Sequence, residues 1–214
     1  FVPPKLIPQM IDAAEVVVTD SHHGSAAPNL PATARLARQR IRPLVAAGTV
    51  AVVPGFIGQA PDGSVTTLGR GGSDLTATLL SRALGAKRVV LWKDVPGILT
   101  ADPKAVPDAR VVPQLHHREA AEVAYFGAKV LHPRCILPVK QYAIPLSVHA
   151  TQTPAMQGTV VTPTGGDGGA RDALSGTAGQ RRMRRRHRRW RACRTVGRDR
   201  TGGSIRAVRV RRLS

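Results

Sequence analysis

Thr66-Thr67-Leu68-Gly69-Arg70-Gly71-Gly72-Ser73-Asp74-Leu75-Thr76-Ala77-Thr78-Leu79 joins an extended run to a helix through three glycines. Gly69, Gly71 and Gly72 carry no Cβ, so the backbone there can take positive φ and approach a ligand closely. Ser73 and Asp74 suit a helix start, and a helix beginning there turns its unpaired amides and positive dipole end toward the loop. Arg70 adds a planar fork able to grip a carboxylate or phosphate through two parallel hydrogen bonds. The stretch reads as an anion-binding strand-to-helix turn. It is not a Walker A loop, because no Gly-Lys-Ser/Thr comes after the glycines, and the Gly-x-Gly-x-x-Gly dinucleotide spacing is absent as well.

Upstream, Lys5 to Ala14 reads as a weak helical piece and Glu15 to Thr19, with three valines, as a short buried strand. Asp20 to Pro31 is a loop whose adjacent His22 and His23 point different ways, which suits a solvated tip better than a metal pair. Ala32 to Ala47 reads as one amphipathic helix with a solvated arginine face and Gly48 as its stop. Thr49 to Val53 has the continuous apolar pattern of a parallel strand buried on both faces. Asp62-Gly63 predicts a hairpin turn between Phe56-Ile57 and Val65 to Thr67.

Downstream, Leu75 to Leu84 continues the helix to Gly85, and Arg88 to Trp92 is a second strand ending at Lys93-Asp94. In an open α/β sheet that carboxyl edge is where ligands bind. Asp94 could be a simple strand-end cap, but a Lys-Asp pair at such an edge, across from an anion loop, favours nucleotide binding. His116 to Phe126 is read as helical with His116-His117 at the surface. Lys129 comes after a glycine and is either a phosphate counter-charge or a lysine reaching to water. Arg134 to Tyr142 is a further helix, and Pro145 to His149 and Gly158 to Thr162 are the last strands. Alternating strands and helices predict a layered α/β fold with a mostly parallel sheet.

Charge divides the 214 residues in two. Residues 1 to 164 carry a net +6 and residues 165 to 214 a net +13 of the chain's +19. The Gly-rich, arginine-rich stretch 165–214 has no apolar periodicity for a core and is expected to be disordered. Cys135 and Cys193 define neither a disulfide framework nor a metal spacing, and a reducing compartment is expected. No apolar run reaches the ~18 residues of a membrane span.

Three ordered motifs are Thr67 to Asp74, Trp92 to Pro103 (Trp-Lys-Asp-Val-Pro-Gly-Ile-Leu-Thr-Ala-Asp-Pro) and Phe126 to Pro133 (Phe-Gly-Ala-Lys-Val-Leu-His-Pro). With Val53 to Gly58 they closely resemble the aspartate kinase family of the amino acid kinase superfamily, over about Val16 to Thr162. The resemblance implies a three-layer α/β/α sandwich and transfer of the γ-phosphoryl of MgATP to the side-chain carboxylate of L-aspartate. It makes residues 1–164 a partial catalytic domain, cytoplasmic, or plastid in a plant, and able to form a homo-oligomer. It carries Arg70, Gly71, Gly72 and Ser73 over as substrate contacts, and Lys93, Asp94, Leu99, Lys104, Lys129 and Val130 as nucleotide contacts. It implies no protein-held metal beyond the Mg²⁺ that travels with ATP.

The implied chemistry fits these residue types. An aspartate side chain, with an ordinary pKa of about 4, is already ionised at neutral pH, so no general base is required. The obstacle is repulsion between anions.

The chain also departs from the family. Nothing in Phe1 to Val18 matches the family's opening Lys-Phe-Gly-Gly-Ser, and Lys5, succeeded by Leu6-Ile7-Pro8, does not replace it, so no catalytic lysine is assigned. Leu99 and Lys104 stand where the family often has an aromatic residue and an arginine. The regulatory ACT domains expected after Thr162 are replaced by the arginine-rich stretch, leaving a fragment. The competing expectation is nonspecific nucleic-acid binding through Arg181 to Arg212, which would weaken steeply with salt.

Overall fold

The computed structural model describes residues 8–125 and 130–165 as a mixed α/β fold with parallel sheets. Its main sheet has the order β5 (Val89–Lys93), β7 (Leu146–Ala150), β8 (Thr159–Thr162), β6 (Gln114–His116). β5 is parallel to β7 and β6 to β8, whereas β7 and β8 are antiparallel. Val89, Leu91, Leu146, Val148 and Val161 face one side. They bury themselves against Ala77 of α3 (Gly72–Leu84), Ala120 and Ala124 of α4 (His117–Tyr125), and Ile136 and Val139 of α5 (Pro133–Gln141). The alternation along β5 is that of a strand with one apolar face, Val89, Leu91 and Lys93 being buried while Trp92 is exposed.

A second cluster centres on the other side of α3. Leu75, Leu79, Leu80 and Ala83 pack with Ala37 of α1 (Leu30–Arg40), Ile41, Val16 and Val17. α3 is therefore buried nearly all round, its Thr76, Thr78 and Ser81 hydroxyls donating to carbonyls of the helix itself, which makes it the central post of the fold. Gly85 ends it in the left-handed conformation, φ +66, as expected of a C-terminal glycine. The predicted hairpin is present too. β3 (Ile57–Gln59) pairs antiparallel with β4 (Val65–Thr67) around Gly63, φ +85.

Four sequence expectations are corrected. Within Lys5 to Ala14, the described part holds a strand rather than a helix: β1 (Pro8–Met10) pairs parallel with β2 (Val50–Val52). In Glu15 to Thr19, Val16, Val17 and Thr19 are buried, yet the segment is no regular strand. Asp12 Oδ1 accepts the Ala14 amide and starts a 3-10 turn over Ala13–Glu15, after which only Val18 and Thr19 make isolated bridges. The single helix expected over Ala32 to Ala47 is broken at Ile41 into α1 and α2 (Arg42–Ala46). Pro43 has no N–H for the Gln39 carbonyl and occupies the first turn of α2, the helix position that tolerates it. β2 is half-buried rather than enclosed on both faces, because its described partner is a three-residue exposed strand.

The His116-His117 expectation also fails, because Gln114–His116 is a strand that carries the chain inward. His117 is 1% exposed and its Nε2 lies 3.2 Å from the Ile144 carbonyl. Burial pushes this imidazole below its ordinary value of 6.5; the Ile144 carbonyl opposes the shift, and His116 and Lys140 add to it. The fold thus favours the neutral ring, and the unfolded chain takes up more protons. The associated stability is complete above 6.5 and is lost as pH falls through the depressed value. His117→Gln keeps a donor but does not titrate. Its urea midpoint should fall less than the parent's between about pH 8 and about pH 5. An identical fall in both proteins would contradict this account.

Candidate functional site

Leu68 is fully buried, and its amide donates to the Phe56 carbonyl (2.9 Å) at the mouth of the β3–β4 hairpin. The chain then passes through Gly69 (φ +71) and Gly71 (φ +73), with the exposed Arg70 between them, and enters α3 at Gly72. Gly71 is the N-terminal cap and no side chain caps the helix; the Gly72 amide donates to the Gly69 carbonyl (2.9 Å), and the Ser73 and Asp74 amides that come next are the ones turned toward a ligand. Ser73 and Asp74 therefore lie inside the first turn, not before it.

Three segments wall this loop so closely that side chains are excluded. A Cβ on Gly69 would lie 3.2 Å from the Gly24 carbonyl, one on Gly71 2.7 Å from His132 Cβ, and one on Gly72 2.7 Å from the Phe56 ring. From the opposite direction, a Cβ on Gly55 would lie 2.8 Å from Ser73 Cα. Phe56 itself is a non-glycine residue with φ +80, a conformation that costs on the order of 1–3 kcal/mol. The Thr76 hydroxyl, accepting the Phe56 amide at 3.1 Å, and the Leu68 amide hold it there.

The loop is tied to the β5 edge by charge. Lys93, the last residue of β5, is 7% exposed, and its Nζ donates to Asp74 Oδ2 in the first turn of α3. A buried ammonium is tolerated only when paired, so the pair fixes the distance between the glycine loop and the strand edge. The Lys93 carbonyl is in turn held by the Thr151 amide (2.7 Å) and hydroxyl (2.9 Å). Asp94, the next residue, is exposed.

Of the sequence-derived positions, Arg70, Gly71, Gly72 and Ser73 lie at the start of α3 and Lys93 and Asp94 at the end of β5, two ends that the Asp74–Lys93 pair joins. Leu99 is half-buried and bridges Val111, while Lys104 is exposed in a turn where its amide donates to Asp102 Oδ1. These contacts place both in the segment between β5 and β6 and tie neither to the glycine loop. Val130 packs against the main core. Lys129 and the arginine-rich stretch lie outside the described residues.

From sequence, Asp74 reads only as a helix-start residue; its pairing with Lys93 joins positions nineteen apart. Phe56 likewise reads only as part of the run before the Asp62-Gly63 hairpin turn and Arg134 as a helix residue. Their places in the walls depend on tertiary contacts alone.

Residues 8–149 match the model of the Amino acid kinase family. The chain is 46% identical over 153 residues to lysine-sensitive aspartokinase 3 of Escherichia coli, covering 72% of this chain and 34% of that protein. It is 51% identical over 116 residues to aspartokinase 1, chloroplastic, of Arabidopsis thaliana, covering 54% of this chain and 20% of that protein. Among solved structures, it is similar to E. coli aspartokinase III in complex with aspartate and ADP. The TM-score is 0.70 at 44% identity, covering 72% of this chain and 34% of that one. The chain thus spans about a third or less of the length of these relatives.

Proposed function

Since the chain belongs to the amino acid kinase family, we propose that the cleft between the glycine loop and the β5 edge is the amino-acid and nucleotide site of an aspartate kinase. The reaction is γ-phosphoryl transfer from MgATP to the side-chain carboxylate of L-aspartate, giving 4-phospho-L-aspartate, the entry to lysine, threonine and methionine synthesis. The observation that carries this reading is the Asp74–Lys93 pair, which joins the anion loop to the carboxyl edge of the sheet. The relatives' names support the substrate, as does the similarity to a structure holding aspartate and ADP.

The residues divide the work by charge. Arg70, exposed and with no ion pair among the described residues, offers its fork to a carboxylate of the amino acid. The open amides at the start of α3 donate to the same anion. Asp94 and the end of β5 receive the nucleotide, and Lys129 and Val130 carry over from the family motif as further nucleotide contacts. Magnesium, when bound with ATP, neutralises charge between phosphate oxygens. It needs only one or two protein carboxylates, a demand that the exposed Asp94 fits. Because the acceptor is already ionised, positioning and charge neutralisation supply the catalysis.

Incubation of the 214-residue chain with MgATP and L-aspartate, with the acyl phosphate trapped as its hydroxamate, tests the reading. Hydroxamate that depends on both substrates is expected; absence of both product and nucleotide binding would overturn it. In the same chain, Arg70→Lys replaces a fork by a point charge. Titration calorimetry should show aspartate binding weakened by about tenfold or more, with ADP binding little changed.

A further inference from the structure

Arg134, in the first turn of α5, sends its guanidinium back toward the glycine loop. Nη1 donates to the Leu68 carbonyl at 3.1 Å and Nη2 to the Ala26 carbonyl at 3.2 Å. Leu68 is the last residue before Gly69, and the Ala26 amide donates to the Thr67 carbonyl (2.9 Å). One fork therefore fastens three segments: the start of α5, the loop between Asp20 and Asn29, and the entry to Gly69-Arg70-Gly71. The guanidinium is half-buried and pairs with no carboxylate among the described residues, so its charge is spent on two backbone carbonyls.

Glycines impose little conformational preference of their own, so the course of this turn depends on its outside anchors, of which the Leu68 carbonyl stands at the entry. Fixing the Leu68 carbonyl thus fixes the course of the turn from which Arg70 projects. His132 closes the same corner. Its Nδ1 accepts the Arg134 amide at 3.3 Å, and its Cβ stands 2.7 Å from where a Cβ on Gly71 would fall. Burial first, then Arg134 and Arg70, hold this imidazole below its ordinary value, which agrees with both guanidinium groups lying close to it.

We infer that Arg134 is a positioning residue for the amino-acid loop: its two-pronged grip on Leu68 and Ala26 holds Arg70 and the Gly71–Ser73 amides in the geometry that receives a carboxylate. The inference rests on the assignment of that loop to the amino acid under Proposed function. Lysine cannot substitute, because a point charge on a flexible stem does not reproduce a planar fork held on two acceptors.

The test compares the full chain with Arg134→Lys, which keeps the charge, and Arg134→Met, which keeps only the stem. Two readouts are needed, amide hydrogen exchange and calorimetric titration with L-aspartate and with ADP. Arg134→Lys should speed exchange of the Ala26 and Gly72 amides by about tenfold and weaken aspartate by about tenfold, with ADP changed less than about twofold. Arg134→Met should do the same to a greater degree. Unchanged exchange and aspartate affinity in Arg134→Lys would overturn the inference. So would an equal loss of aspartate and ADP with a lowered unfolding midpoint, since that marks a merely structural role. If the parent itself does not bind aspartate, the assignment of the loop to the amino acid fails. The exchange comparison then still decides whether Arg134 holds the loop.

Discussion

Replacing Asp74 by alanine is expected to destabilise the chain by about 3–5 kcal/mol, because it strands the buried Lys93 ammonium without its carboxylate. For a chain of this size that corresponds to a fall in thermal midpoint on the order of 10 °C. Neighbouring water cannot easily take the carboxylate's place, since Lys93 is buried at the end of β5. The pair contributes position more than net stability. Replacing both partners by apolar residues of similar size, Asp74→Leu with Lys93→Met, should restore most of the lost midpoint. The double variant should still fail to bind ADP and aspartate together, because the charges that set the loop against the strand edge are gone. Scanning calorimetry on the parent, the single and the double variants, with ligand titrations alongside, separates these effects. A single variant that melts with the parent would show that the pair is not held out of water.

The second large effect is expected at Gly71. An alanine there must adopt φ +73, and its Cβ would lie 2.7 Å from His132 Cβ. The left-handed backbone and the overlap together cost about 3 kcal/mol. Relief by shifting the loop moves Arg70 and the α3 amides, so aspartate affinity should fall by at least about tenfold even where the protein remains folded. Gly63→Ala is the matched control. It imposes the same kind of backbone strain at φ +85, but nothing lies within 4 Å of its Cβ. It should lose about 1–2 kcal/mol and keep its ligand affinity. Equal ligand affinity in the two variants would contradict the role given to the loop.

How much of the fold is legible in the sequence depends on the range over which each signal acts. The Asp62-Gly63 hairpin, α3 with its Gly85 stop, and β5 are each specified by residues within one element, and each is present. β1 escapes a local reading because its extended state depends on β2, with Pro8 opposite Val50, far along the chain. Strand β6 has three residues, too few for an alternation to show, and so His117 reads as a surface residue although it lies inside. Pro43 is within reach of local reasoning, since a proline in the middle of an amphipathic run breaks it.

The site divides in the same way. The glycine loop is legible because its glycines and arginine are contiguous. The Asp74–Lys93 pair and the Arg134 grip are not, because each joins groups that only the packing of α3 against β5 and α5 brings together.

The central claim is that the turn from Gly69 to Ser73 is the seat of the amino acid. Amide chemical-shift mapping of the isotopically labelled chain titrated with L-aspartate tests it most directly. Saturable shifts are expected at Gly71, Gly72 and Ser73, none at the Asp62-Gly63 turn, and loss of the response in Arg70→Lys. Saturable shifts confined to another part of the molecule, with the Gly71–Ser73 amides unmoved, would contradict it.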